Sequence, residues 1–117
     1  MTDDCIFCKI ARGDAPATVV AEDEQAMAFK DLQPKAPLHV LVIPRRHVAS
    51  LAEADDFALV GHLVKLATKI AKDAGYAARG FRVVSNTGRE GGQAVDHLHF
   101  HVLAGRPLGA PWSPWDH

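Results

Sequence analysis

The clearest pattern in this chain is a run near its C-terminal end in which histidines alternate with apolar residues. Residues 97–103 read His-Leu-His-Phe-His-Val-Leu. Successive side chains of a β-strand point to opposite faces of the sheet, so we expect a strand over residues 95–103 with three imidazoles on one face. Imidazole transfers protons, attacks electrophiles and binds metals near neutral pH, and this face is therefore a candidate functional site.

Other segments carry strand patterns as well. Residues 17–22 and 25–30 flank Asp23-Glu24 and are predicted to form a hairpin. Residues 38–43 and 81–85 are two further predicted strands. In the segment 38–43, His39 shares a face with Leu41 and Ile43. If this strand pairs beside the histidine strand, His39 can orient one of its imidazoles.

Two segments follow a helical pattern. Apolar residues recur at three- and four-residue steps in the segment 55–74, at positions 57, 60, 64, 67, 71 and 74. Asp55 can cap the start of this helix, and Gly75 stands where it would end. Residues 5–12 suit a short helix that ends at Gly13. Strands around one long helix, with connections that favour antiparallel pairing, predict an α+β fold with the helix on one face of the sheet.

Length and charge narrow the possible functions. The 117 residues suit one domain, and the net charge of −1 provides no field that would attract nucleic acid or an anionic membrane. No apolar run reaches membrane-spanning length, and the N-terminal residues are acidic where a signal peptide would be basic. We therefore expect a cytoplasmic protein with neither nucleic acid nor membrane as a partner.

A glycine-rich segment precedes the histidine run. Residues 86–93 read Asn-Thr-Gly-Arg-Glu-Gly-Gly-Gln. Glycines permit backbone conformations in which successive N–H groups converge on an anion. A phosphate held beside several imidazoles suggests phosphoryl or nucleotidyl transfer, with one ring as nucleophile and another assisting the leaving group. The alternative is that this segment is only a hairpin loop.

Metal binding is a competing interpretation of the same histidines. Imidazoles two residues apart on a strand can share a zinc ion, and Cys5-x-x-Cys8 supplies a further pair of ligands at zinc-site spacing. A closed site would also need two histidines, for which His47 and one histidine of the run would serve. The alternative is two ordinary cysteines in a packed turn.

The chain resembles the histidine triad (HIT) superfamily, in its branch of histidine triad nucleotide-binding proteins. The histidine run fits the motif of this superfamily, and the resemblance extends from about residue 5 to residue 107. Further matching blocks are Ala-Phe-Lys-Asp-Leu (28–32), Ala-Pro-Leu-His (36–39), Val-Ile-Pro (42–44), Asn-Thr-Gly (86–88), Gly-Gly-Gln (91–93) and Gly-Arg-Pro (105–107). The chain is expected to be a single HIT domain over residues 1–117, and three prolines after residue 105 predict an irregular tail from about that residue. The resemblance also implies a five-stranded antiparallel sheet, continued across a homodimer.

The resemblance further implies hydrolysis of the P–N bond in purine nucleoside 5′-phosphoramidates, such as AMP amide or AMP joined to lysine. His99 would be the nucleophile that forms a nucleotidyl-histidine intermediate, His101 would contact the phosphate and assist the leaving group, and His39 would support them. AMP or GMP would be bound with the base among apolar side chains, the ribose at an acidic residue and the phosphate at the glycine-rich segment. The implied residues for base, ribose and phosphate are, in turn, Ile6, Phe7, Ile10, Phe29 and Leu41; Asp31 and Leu32; and Asn86, Gly92 and Gln93. Ala94 and Val95 complete the implied nucleotide site.

The resemblance also bears on one residue that departs from the family pattern, on a possible zinc site and on the C-terminal tail. Ala94 stands where many members carry a serine or threonine that hydrogen-bonds the phosphate or leaving group, which weakens the leaving-group step. Some members hold a structural zinc ion at positions that correspond to Cys5, Cys8, His47 and His97, and no organic cofactor is implied. Trp112 and Trp115 lie in the tail, which in relatives reaches toward the partner's site. Two other functions stay open: hydrolysis of dinucleoside polyphosphates, and nucleotide binding with little turnover.

Overall fold

The computed structural model describes residues 4–110. Within them, two α-helices and five strands follow in the order α1 (Ile6–Arg12), β1 (Val19–Glu22), β2 (Ala26–Lys30), β3 (Leu38–Pro44), α2 (Phe57–Asp73), β4 (Arg82–Val84) and β5 (Phe100–Ala104), with a short 3-10 helix (Leu51–Glu53) between β3 and α2. The strands form one antiparallel sheet in the spatial order β1-β2-β3-β5-β4. The predicted α+β fold, with one long helix and a short N-terminal helix, is confirmed. Residues 105–110 form neither helix nor strand, and Trp112 and Trp115 lie outside the described residues.

The sheet separates two apolar clusters, as the alternation of side chains predicts. On one face, α2 packs on a large core that includes Val40 and Val42 of β3 and Phe100 and Val102 of β5. On the other face, a smaller cluster joins α1 to the sheet through Phe7, Ile10, Met27, Phe29, Leu41 and Ile43. The second face is the one that carries the histidines of β3 and β5, so α1 and the candidate site share one side of the sheet.

The long helix differs from its prediction in its cap and in its buried stripe. The carboxylate of Asp56, not Asp55, caps α2 by accepting the backbone N–H of Leu59. Phe57 and Val64, predicted to face the core, are exposed, whereas the buried stripe consists of Leu59, Leu63, Ala67, Ile70 and Ala71. The predicted and observed stripes share Ala67 and Ala71, so the difference is a rotation toward the larger leucine and isoleucine side chains, which bury more apolar surface against the sheet. Among the described residues, no helix combines the length and apolarity needed to cross a membrane.

Gly61 lies on the exposed surface of α2, and a Cβ atom added there would meet no atom within 4 Å. Glycine in a helix interior costs about 0.5–1 kcal/mol relative to alanine, mainly through the entropy of the unfolded chain. We therefore expect Gly61→Ala to raise the free energy of unfolding by about that amount, measured by chemical denaturation. A decrease in stability would contradict this expectation.

The histidine strand is shorter than predicted. β5 begins at Phe100, which pairs with Val42, so the prediction of a strand over residues 95–103 is wrong for its first half. Continuing the register would place Pro44 opposite Leu98, and proline has no N–H to contribute to the ladder. The backbone N–H of Leu98 instead donates to the Val48 carbonyl. His97 and His99 therefore precede the regular strand, although Leu98 still packs in the α2 core.

Candidate functional site

A cavity of about 310 Å³ lies beside α1, β2, β3 and β5. It is lined by thirteen residues implied by the resemblance: Ile6, Phe7, Ile10, Phe29, Asp31, Leu32, Leu41, Asn86, Gly92, Ala94, Val95, His99 and His101. Five further lining residues were not predicted: Pro16, Ala17, Lys30, Gln33 and Lys35. Lys30, Gln33 and Lys35 are sequence neighbours of the predicted Asp31 and Leu32, so their positions alone could have indicated that they line the site. Pro16 and Ala17 follow α1 and carry no comparable chemical signal.

Aromatic and aliphatic side chains form one side of this cavity. Phe7 of α1 and Phe29 of β2 meet edge to face, with ring centroids 5.4 Å apart. Ile10 and Leu41 belong to the same apolar cluster and also line the cavity. An apolar wall of this kind accepts a planar aromatic group, while a few polar groups at the other end fix its orientation.

Gln93 is the one implied nucleotide-site residue that does not line the cavity. Its side-chain amide nitrogen donates to the carbonyls of Ala49 and Val95, and its Oε1 accepts the backbone N–H of Gly88. These bonds tie the two ends of the glycine-rich segment to the loop after β3. Gln93 therefore shapes the wall that contains Asn86 and Gly92.

The hydrogen bonds of His99 determine which ring nitrogen carries its proton. Its Nδ1 lies 2.7 Å from the carbonyl oxygen of His97, so Nδ1–H donates and Nε2 keeps the lone pair. Burial lowers the pKa of His99 below its ordinary value, although the bond to His97 and the charge of Asp31 act in the opposite direction. The ring is thus a neutral imidazole with a nucleophilic nitrogen at the cavity.

A chain of hydrogen bonds gives His101 the complementary arrangement. The backbone N–H of Lys35 donates to Nδ1 of His39 at 3.0 Å, which places the proton of a neutral His39 on Nε2. That Nε2 lies 3.0 Å from Nδ1 of His101 and 3.4 Å from Oδ2 of Asp31. His101 therefore accepts at Nδ1, and its proton is on Nε2. The predicted pairing of His39 with the histidine strand is present, since β3 and β5 are neighbours.

Four side chains form a second cluster beside the cavity. The ligand atoms of Cys5, Cys8, His47 and His97 all lie within 4.8 Å of one another. Nδ1 of His97 is 3.3 Å from Sγ of Cys5 and 3.4 Å from Sγ of Cys8, and Nδ1 of His47 is 3.3 Å from Sγ of Cys8. In a tetrahedral zinc site with ordinary bond lengths, neighbouring sulfur and nitrogen ligands are about 3.5 Å apart. Both the ligand set and its spacing fit a zinc ion.

His97 is prepared for the role of ligand. The ring is fully buried, and its Nε2–H donates to the carbonyl of Pro44 at 2.8 Å, so the lone pair on Nδ1 faces the two cysteines. Burial lowers the pKa of His97 to about 4, which keeps the ring neutral. Burial, together with the neighbouring Cys5, raises the pKa of the Cys8 thiol to about 11, so binding a metal there displaces a proton.

The three histidines of the run therefore belong to two places. His97 joins the cysteine cluster, whereas His99 and His101 line the cavity with their ring centroids 5.1 Å apart. The period of two predicted a shared face but could not show this division, because it depends on the positions of α1 and of the loop that carries His47.

Comparisons with known proteins identify the family of this chain. The family model described as HIT domain matches residues 12–108. The purine nucleoside phosphoramidase of Escherichia coli strain K12 is 40% identical over 111 residues, which cover 93% of each chain. A solved HIT family hydrolase from Legionella pneumophila has a TM-score of 0.89 and 43% identity, covering 92% of this chain and 98% of that one.

A zinc-bound histidine triad family protein from Mycobacterium smegmatis is also similar, with a TM-score of 0.82 and 34% identity over 91% of this chain and 78% of that one. The match of the family model spans the sheet, α2 and all three histidines of the run. The sequence motif, the five-stranded sheet and these similarities together show that the chain belongs to the HIT family.

Proposed function

We propose that this chain is a purine nucleoside phosphoramidase, which hydrolyses the P–N bond of nucleoside 5′-phosphoramidates. The observation that carries the proposal is the pair of tautomers in the cavity: His99 presents a lone pair on Nε2, and His101 holds a proton on Nε2. A nucleophile and a proton donor side by side suit the displacement of an amine from phosphorus. The relative from E. coli supports the same reaction class.

In the proposed reaction, Nε2 of His99 attacks phosphorus and the P–N bond of the substrate breaks. The amine leaves with a proton from Nε2 of His101, which prevents expulsion of an unstable amide anion. Water then attacks the phosphorus of the nucleotidyl-histidine, and the N–P bond to His99 breaks. The attacking water gives up a proton to Nε2 of His101, which restores its starting form. The product is a nucleoside monophosphate, and both rings return to their starting forms.

The cavity suits a nucleotide bound along its length. The base would lie against Phe7 and Phe29, and the phosphate would lie between His99 and the backbone at Gly92. Asp31 stands at the polar end, where one carboxylate oxygen accepts the Gln33 N–H and the other faces His39. A carboxylate at that position can accept hydrogen bonds from the hydroxyls of a ribose.

A panel of substrates tests the function. Purified protein is mixed with adenosine 5′-phosphoramidate, with an AMP-lysine conjugate and with a diadenosine polyphosphate, and release of AMP is followed. We expect turnover of the first two compounds. Preference for the polyphosphate would favour the dinucleoside polyphosphate hydrolases, and binding of AMP without any turnover would favour a nucleotide-binding module.

Zinc is the metal that we propose for the cluster of Cys5, Cys8, His47 and His97. A closed four-ligand site of this composition would supply structural stability, since structural zinc binding contributes directly to folding free energy. Elemental analysis of protein purified without added metal should give about one zinc ion per chain. A stoichiometry near zero would contradict the zinc assignment.

We also propose that the chain forms a homodimer through β4. This strand lies at one edge of the sheet, and edge strands readily pair with another chain. The buried Nη1 of Arg82 on β4 has no hydrogen-bond partner among residues 4–110, so an acceptor from a second subunit would satisfy it. Sedimentation at micromolar concentration should give the mass of a dimer, and the mass of a monomer would contradict the proposal.

Ala94 offers a way to test the leaving-group step. Ala94 lines the cavity together with Val95 and His99, at the position where the resemblance to the family implies a serine or threonine hydroxyl. A hydroxyl bond to a charged group contributes about 1.5–3 kcal/mol, so we expect Ala94→Ser to raise kcat for adenosine 5′-phosphoramidate by roughly tenfold or more. The matched control is Ala94→Val, which adds bulk without a donor and should not raise kcat.

A further inference from the structure

We propose that the cysteine cluster and the nucleotide cavity are energetically coupled, so that Zn²⁺ and AMP each strengthen the binding of the other. This proposal rests on the proposed function, because it takes the cavity to be the nucleotide site. Two structural connections carry it: helix α1, which contributes to both sites, and His97, which joins the cluster to His99.

Helix α1 presents metal ligands and cavity residues from the same short segment. Cys5 caps the helix by accepting the Cys8 N–H at its sulfur, and Cys8 lies within the helix. Between them and just after them, Ile6, Phe7 and Ile10 line the cavity. A helix of seven residues has little stability by itself, so its position depends on what holds it against the sheet.

Helix α1 is held in place by its apolar side, by a hydrogen bond near its end and by the cysteine cluster. Its apolar side packs in the smaller cluster, and the carbonyl of Ala11 accepts a hydrogen bond from Arg45 at 3.0 Å. The cysteine cluster is the other attachment, because His47 and His97 lie outside α1 and meet its two cysteines. Ligation of one ion by all four side chains would fix the helix, and with it the apolar wall that Phe7 provides.

His97 forms the second connection. Its ring belongs to the cluster, while its own carbonyl oxygen accepts the Nδ1–H of His99 at 2.7 Å. Phe7 also packs edge-on against both rings, with centroids 5.9 Å from His97 and 5.2 Å from His99. A backbone shift at His97 on loss of a ligand would therefore move the carbonyl that orients His99, and a shift of its ring would disturb the packing of Phe7 against both histidines.

The energetic consequence follows from linkage. If α1 is less ordered without a metal, a nucleotide must order it on binding, which lowers its affinity; a bound metal removes that requirement. Couplings of this kind typically change affinity by about 5- to 150-fold, and the factor is necessarily the same in both directions. We expect the dissociation constant of AMP to be at least about fivefold higher without zinc.

The experiment measures AMP binding calorimetrically with the full-length chain, once loaded with Zn²⁺ and once stripped by a chelator. In the reverse titration, Zn²⁺ affinity is measured by competition with a chromophoric chelator, with and without AMP. Hydrogen exchange at residues 6–12 gives an independent readout, and we expect faster exchange in the stripped protein. Agreement of the two coupling factors would support a thermodynamic link between the sites.

Variants at His47 separate the metal from the cavity itself. His47 is exposed and is not among the residues that line the cavity. His47→Ala should weaken AMP binding at zinc concentrations that saturate the wild type, and His47→Cys, which restores a zinc ligand, should recover it. The matched control is His62→Ala, a half-buried histidine on α2 that pairs with Asp23, lies outside the cavity lining and should leave both affinities unchanged.

Three results would overturn the coupling, and they are distinguishable. If the wild type binds Zn²⁺ but its loaded and stripped forms bind AMP with equal affinity, the coupling is refuted and the proposed function stays intact. Absence of AMP binding in both forms would refute the proposed function together with the coupling. Failure of the wild type to bind Zn²⁺ would refute the coupling and the metal assignment alone.

Discussion

His99→Ala should lower the turnover of adenosine 5′-phosphoramidate by at least about three orders of magnitude, because the variant has no atom that can form the nucleotidyl intermediate. The fold should remain, since the side chain contributes no packing to the α2 core. Weak AMP binding should also remain, because the apolar wall of the cavity is unchanged. Steady-state kinetics, calorimetry with AMP and circular dichroism measure the three properties.

His101→Ala is the informative comparison. Loss of a general acid costs typically about 10²- to 10⁴-fold, and His99 would still be able to form the covalent bond. Mass spectrometry of acid-sensitive and base-stable adducts should therefore detect AMP on the wild type and on His101→Ala, but not on His99→Ala. If His97→Ala and His99→Ala lost activity equally and both unfolded, the histidines would form a metal-centred triad, and the nucleophile assignment would be wrong.

Gly105→Ala should lower the free energy of unfolding by about 2–4 kcal/mol, since the native backbone has no room for a side chain there. Gly105 has φ +103°, a conformation that residues with a Cβ rarely adopt. A Cβ atom would lie 2.8 Å from Cβ and Cγ of Pro37 and 3.0 Å from the hydroxyl oxygen of Tyr76. Both the strain and these contacts oppose the native conformation.

Denaturant unfolding measures the effect, with Gly61→Ala as the matched glycine replacement at an open helical site. The two substitutions should have opposite signs, because only the first requires a left-handed backbone conformation and close contacts. A loss below about 1 kcal/mol for Gly105→Ala would show that the segment after β5 relaxes freely. Pro37 lies in the loop that supplies the Lys35 amide to His39, so a reduced kcat should accompany the destabilisation.

Much of the fold could be predicted because its determinants are local. The alternation in residues 38–43 assigned His39 and Leu41 to one face and Val40 and Val42 to the other, which is what the two clusters show. The position of the α2 stripe and the start of β5 were mispredicted, because both depend on partners distant in sequence. The decisive partners are the sheet surface for α2, and the Val48 carbonyl and Pro44 for β5.

The candidate site shows the same limit. Residue types indicated that His99, His101 and Asp31 share a site, and the cavity contains all three. They could not indicate which ring nitrogens carry protons, since that depends on two backbone groups, the His97 carbonyl and the Lys35 amide. Gln93 illustrates the converse, because a side chain implied to surround the phosphate is engaged in three hydrogen bonds to the backbone.

The Lys35 amide has a consequence for how this site can evolve. Every residue except proline supplies a backbone N–H, so replacement of the Lys35 side chain leaves the donor to His39 in place. The same side chain lines the cavity. Mutation at position 35 can therefore change the charge and shape of the cavity wall, while the same ring nitrogens of His39 and His101 continue to carry protons. Substitutions at this position can therefore change substrate preference without changing the chemistry of the histidines. Lys35→Pro is the exception, because it removes both the side chain and the N–H that donates to His39.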